Sequence, residues 1–156
     1  MVVTSAGILL YRQSDRSSLE VWIGHMGGPF WTNKDARAWS IPKGEYLQEE
    51  DPLVAAKREF AEEMGTPAPS VEYSRLGAFR QPSGKVLTVF TAESPFEPER
   101  IHSNTFSLEW TKGSGSIQNF PEIDEAGWVK EIDARIKLVR GQLPVLDALV
   151  AILAHE

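Results

Sequence analysis

The chain reads as an α/β domain, and three observations carry that expectation. Two apolar segments, residues 2–11 and 19–25, open it in the manner of strands. Residues 52–64 then switch to helical spacing, with Leu53, Ala56, Phe60 and Met64 on one stripe. Strand-like segments return after that helix, and two further helical patterns close the chain.

Each element has a local cause. Residues 14–18 are polar and form the turn between the first two strands. The run Gly27-Gly28-Pro29-Phe30-Trp31 breaks the strand pattern and opens a loop that reaches Trp39. Asp51 is placed to cap the central helix, Pro52 suits its first turn, and Gly65 suits its end. Residues 71–79 and 86–92 read as a hairpin across Pro82-Ser83-Gly84. Residues 95–103 are a proline-containing connection, and residues 106–110 alternate as a short strand. Gly113-Ser114-Gly115-Ser116 is flexible but too short for a linker between domains. Residues 132–139 and 143–153 read as helices, the second with Leu143, Leu146, Leu149, Val150 and Leu153 at near-helical spacing. No repeat divides the chain, so residues 1–156 are expected to form one domain.

Composition narrows the function. At 42% apolar and 24% charged residues the chain is globular in type. A formal charge of −6 leaves no basic footprint for polymeric nucleic acid. There is no cysteine, hence no disulfide, zinc-thiolate site or thiol nucleophile. The apolar run at residues 6–10 is too short for a signal-peptide core, and no stretch is long enough to span a bilayer. A cytoplasmic protein with a small-molecule partner is the expectation.

The most informative stretch runs from residue 44 to residue 66. It reads Gly44, five residues, Glu50, seven residues, then Arg58-Glu59-Phe60-Ala61-Glu62-Glu63-Met64-Gly65-Thr66. At about 100° per residue, Glu59, Glu62 and Glu63 fall within an arc of roughly 100°, beside the apolar stripe. One reading is a solvated acidic face with Lys57 and Arg58 as partners; like charges at this spacing cost only about 0.2–0.5 kcal/mol per pair. The other is convergence on a hard divalent cation, which takes oxygen ligands.

This stretch resembles the Nudix box, the signature of hydrolases that cleave nucleoside diphosphates linked to another group. The resemblance implies a Nudix-type α/β/α sandwich with a mixed central sheet. It also implies that Glu59, Glu62 and Glu63 hold Mg²⁺ or Mn²⁺ and that Arg58 orients them. Glu50 then supports the loop electrostatically, Gly44 permits the turn, and the Lys43 carbonyl is a further ligand. Phe60 replaces a commoner aliphatic, and Thr66 stands where an aliphatic is usual. Ala38-Trp39-Ser40-Ile41-Pro42-Lys43-Gly44 and the first strand from Ser5 to Tyr11 are similar to the corresponding parts of the family. Glu122, six residues ahead of Trp128, matches a glutamate on a loop facing the box and is expected to be a ligand or the base.

The implied substrates are nucleoside triphosphates or dinucleoside polyphosphates. ADP-sugars also fit, and diphosphoinositol polyphosphates would call for a more basic pocket than this composition advertises. Tyr46 is placed to stack on a base. Arg80 and Lys85, with Arg37 and Lys34, are cations suited to phosphate. Phe30 and Trp31 offer an apolar surface for a homodimer. His25 and His102 are expected to be structural, and His155 lies at the terminus. The competing function is a Nudix-like module that binds a nucleotide or ADP-ribose without hydrolysis. Such modules lose box glutamates, and none is lost here.

Overall fold

The computed structural model describes residues 2–13 and 18–155. Strand β1 (Thr4–Gln13) is buried continuously from Ser5 to Leu10. An unbroken buried run means that both faces of the strand are covered. Alternate side chains accordingly go to opposite sides: Ala6, Ile8 and Leu10 join one core cluster and Leu9 the other.

β1 lies inside a seven-stranded mixed sheet. It pairs antiparallel with β2 (Leu19–Met26) and parallel with β6 (Val86–Glu93), from Thr4↔Val86 to Tyr11↔Glu93. β6 in turn pairs with β5 (Ser74–Arg80) at the sheet edge. Two short strands come from the segment ahead of the box: β3 (Trp39–Ser40) on β2 and β4 (Lys43–Glu45) on the start of β1. Of the expected turn at residues 14–18, residues 14–17 lie outside the described residues.

Helix α1 (Pro52–Met64) covers one face of the sheet with Ala55, Ala56, Phe60 and Met64. Burying a side chain such as Phe60 completely contributes about 1.5–3 kcal/mol. The helix ends are as the residues require. Asp51 Oδ2 accepts the Val54 N–H at 3.1 Å, and Gly65 ends the helix in the left-handed region at φ 79°. Thr66 carries the one mismatch: among the described residues its Oγ1 is buried with no hydrogen-bond partner. The other face is covered by α2 (Glu131–Lys137) and α3 (Leu143–Ala154), through Ala134, Val145, Leu146 and Leu149. The result is an α/β/α sandwich about a mixed sheet.

Between the helices, the fully buried Gln142 secures the approach to the box. Its Oε1 accepts the Ile41 N–H and its Nε2 donates to Ser40 Oγ, both at 2.9 Å. No helix among the described residues is long and apolar enough to cross a membrane.

One region differs from the sequence expectation. Two strands, β8 (Ile117–Pro121) and β9 (Ile123–Lys130), form where the sequence predicts no element, and Glu122 stands at the bend between them. β8 pairs with β7 (Thr105–Glu109) as a separate hairpin, while β9 joins the main sheet beside β2, Trp22 opposite Trp128. The acids at 122, 124 and 125 hide the strand period. β9 is held by its ladder to β2 instead of by a strong pattern of its own.

Candidate active site

Helix α1, strand β4 and the β8–β9 junction form three walls of a cleft of about 370 Å³. Glu59, Glu62 and Glu63 line it from the helix, Lys43, Gly44 and Glu45 from β4, and Glu122 from the junction. The single helical face predicted for the three box glutamates is therefore the face that meets the cleft. Glu122, distant in sequence, stands on the facing wall.

Each carboxylate has a different setting. Glu63 Oε1 accepts the Lys43 N–H at 3.0 Å. Burial nevertheless dominates and pushes its pKa up to about 8. Glu59 is pushed up to about 7, by burial first, then by a hydrogen bond with Glu62 and the Glu62 charge. Glu59 also packs against the Cα of Gly44, in the space that a Cβ would take. Gly44 sits within β4 and is not among the glycines with positive φ. The turn role expected for it is thus corrected: a glycine is needed here for close approach to Glu59.

Arg58 works beside the cleft. It makes a direct ion pair with Glu50 and stands 3.9 Å from Glu59 Oε2 and 3.8 Å from Glu62 Oε1. Its Nη2 also donates to the Glu45 carbonyl at 3.4 Å. Exposed pairs of this kind contribute at most about 1 kcal/mol to stability, so their main effect is to fix orientation. Lys43 is tied to the helix through its backbone N–H, which donates to Glu63.

The donor set suits a hard cation. Five carboxylates share one cleft, and burial makes Glu59 and Glu63 hold their protons well above the ordinary 4.5. As the side chains stand, no three acidic or histidine groups among the described residues close around one point. Mg²⁺ does not require such a cage, since it keeps waters and is completed by substrate phosphates. Mg²⁺ or Mn²⁺ therefore fits this site chemically.

Other expected residues are distributed unevenly. Lys85 reaches the cleft, where its Nζ pairs with Glu45 Oε2 at 2.7 Å. Tyr46 lines a separate groove with Val2, Val3 and Leu47 and packs against the α1 core. Arg80 is an exposed residue of β5 and lines neither space. Lys34 lies over the Trp31 ring, 5.5 Å from its centroid. Phe30 is exposed and meets Trp110 of the β7–β8 hairpin edge to face at 5.5 Å.

Two features were not foreseen. Asn104, whose segment has no assignable sequence pattern, donates its N–H to the Glu62 carbonyl at 2.8 Å and accepts the Glu122 N–H at 2.9 Å. It stitches the end of α1 to the opposite wall through backbone atoms, so no side-chain signal announces it. The second is a neighbouring pocket of about 510 Å³ that shares Ser5, Lys43 and Lys85 with the cleft. Its lining adds Arg37 and Arg140 to apolar Met26, Leu87 and Val139.

Comparison with known proteins agrees with this geometry. No curated protein matches the chain at a significant level. The NUDIX domain of Shewanella oneidensis NrtR complexed with ADP ribose is similar in fold, at TM-score 0.65 and 16% identity over 98% of this chain and 89% of that one. The C. elegans Ap4A hydrolase in a binary complex is similar at TM-score 0.62 and 21% identity, over 99% and 100% of the two chains. A MutT from work on Aliivibrio salmonicida and Vibrio cholerae gives TM-score 0.56 and 19% identity, over 96% of each chain. At these identities the structural likeness establishes the fold. The model of the NUDIX domain matches residues 1–149, nearly the whole chain, and so the protein belongs to the NUDIX family.

Proposed function

We propose that the protein is a divalent-metal-dependent pyrophosphohydrolase that cleaves a nucleoside triphosphate or a dinucleoside polyphosphate by attack of water on phosphorus. The observation that carries this reading is the meeting of Glu59, Glu62, Glu63 and Glu122 in one cleft that adjoins a cation-lined pocket. Glu59, Glu62 and Glu63 would hold Mg²⁺ or Mn²⁺, with the Lys43 carbonyl as a further ligand. The bound cation supplies charge neutralisation and Lewis acidity at the pyrophosphate oxygens.

The chain's own groups account for the remaining steps. Lys43 and Lys85, at the junction of cleft and pocket, are placed to hold phosphate oxygens. Met26, Leu87 and Val139 offer an apolar floor for the nucleoside beyond them. Glu122 or Glu59 takes the proton of the attacking water. A bond forms from the water oxygen to phosphorus while the anhydride P–O bond breaks and its electrons leave with the departing phosphate. The products are a nucleoside monophosphate and a phosphorylated remainder.

The retained glutamates weigh against a non-hydrolytic nucleotide or ADP-ribose sensor. The test is release of phosphate or nucleotide from a panel of nucleoside triphosphates, dinucleoside polyphosphates and ADP-sugars, with Mg²⁺, with Mn²⁺ and with EDTA. Turnover of one class that EDTA abolishes is the expected result. Tight nucleotide binding with no turnover of any member would replace the hydrolase by the sensor.

A further inference from the structure

His25, next to last in β2, is buried, and the steps above make no use of it. Its Nδ1 stands 2.7 Å from Asp124 Oδ1 and its Nε2 stands 2.6 Å from the Lys34 carbonyl oxygen. A carboxylate and a carbonyl are both acceptors, and a neutral imidazole has one N–H. A neutral ring would set a nitrogen lone pair against an oxygen lone pair at one of these contacts. The imidazolium donates at both. Burial opposes the charge, but the Lys34 carbonyl and Asp124 outweigh it, and the His25 pKa is raised above its ordinary 6.5. The charged groups around the ring are Asp124 and Glu125 from β9 and Asp35 from the 27–38 loop, the last paired with Lys137 of α2 at 2.8 Å.

The place of Asp124 in the sheet makes this contact more than a local tie. β2 and β9 pair His25 with Glu125 and then Met26 with Ile123, so Asp124 is the bulged residue that faces no partner in the ladder. A bulge bends its strand and re-aims the side chains beside it. Glu122 lies just ahead of this bulge, its carbonyl accepts the Gly27 N–H at 2.9 Å, and its side chain lines the carboxylate cleft.

The geometry points to His25 as a positioning residue for Glu122: clamped between Asp124 and the Lys34 carbonyl, its ring fixes the β9 bulge and through it the direction in which Glu122 enters the cleft. Its kinetic consequence rests on the hydrolase reading; its structural content does not.

Two measurements on the full chain test it. In the wild type labelled with ¹⁵N at histidine, NMR at pH 7 is expected to show both ring N–H groups of His25. In Asp124→Ala, at a partly exposed position, the Gly27 and Glu122 amide signals are expected to shift. A singly protonated ring, or unmoved amides, overturns the clamp whatever the chain hydrolyses. The second measurement uses the best substrate of the panel. His25→Phe keeps a ring on Trp39 but has no N–H, and it and Asp124→Ala are each expected to lower kcat about tenfold or more with KM within about twofold. In the His25→Phe background, Glu122→Gln is expected to cost less than it does alone, by about the factor that His25→Phe itself costs. Unchanged kcat in both single variants, or a full independent Glu122→Gln effect in that background, overturns the positioning role. A wild type that turns over no panel member defeats the hydrolase reading, while the ring and amide signals still decide the clamp.

Discussion

Glu59 occupies the space that a side chain at Gly44 would need, so the glycine of β4 and the glutamate of α1 are one unit of structure. The first atom of any side chain at 44 would displace the Glu59 carboxylate. Because Gly44 does not use positive φ, the backbone itself accepts alanine. Gly44→Ala is therefore expected to leave the fold in place and to lower turnover by on the order of 100-fold, the usual penalty for moving a reacting group by about an ångström. Paired thermal melts and kcat measurements check this. A large loss of melting temperature would instead mark Gly44 as a folding residue.

Glu63→Gln separates function from stability more sharply. Glutamine keeps an oxygen to accept the Lys43 N–H but never carries charge. Loss of a ligand is expected to cost orders of magnitude in turnover. Glu63 has its pKa raised to about 8, so at neutral pH part of its population is ionised at a buried position that disfavours charge. Metal-free Glu63→Gln should thus melt no lower than the wild type at pH 8, and the two should converge near pH 4.5. Near-normal metal-dependent turnover would remove the ligand assignment.

Why the box was legible and its surroundings were not follows from range. Asp51, Pro52, the Phe60 stripe and Gly65 act within a few residues of each other, and α1 runs between the caps they define. The single face shared by Glu59, Glu62 and Glu63 is a consequence of helical pitch alone. By contrast, the contact of Gly44 with Glu59 depends on β4 pairing with β1 beside the helix, which no local pattern encodes. Asn104 joins both walls through its backbone, where residue type leaves no trace. β9 was hidden because Asp124 and Glu125 interrupt its apolar period, so that the ladder to β2 defines the strand. The basic lining of the adjoining pocket, with Arg37 and Arg140, likewise arises where separate segments meet, in a chain whose net charge of −6 points the other way.

Metal affinity should depend on pH with a definite sign. Glu59 and Glu63 titrate near 7 and 8 in the metal-free cleft and must be ionised to act as ligands. Binding of Mn²⁺ is therefore expected to tighten by at least about tenfold between pH 6 and pH 8.5 and to release protons at neutral pH. Calorimetry in buffers of different ionisation enthalpy counts those protons. Affinity that stays flat across this range, with no proton release, would place the cation elsewhere.

His25 shifts stability in the opposite direction along the pH axis. Its pKa is raised in the fold, so the folded chain binds the ring proton more tightly than the unfolded chain does. The stability it contributes is complete below the ordinary value of 6.5 and is lost as pH rises through the elevated one. His25→Phe has no such proton to lose. The gap in melting temperature between wild type and His25→Phe is therefore expected to be widest at pH 6 and to narrow steadily toward pH 9, measured without metal so that the box carboxylates are treated alike in both chains. A gap that widens with pH would mean that the ring is held neutral in the fold, with its proton on one nitrogen only.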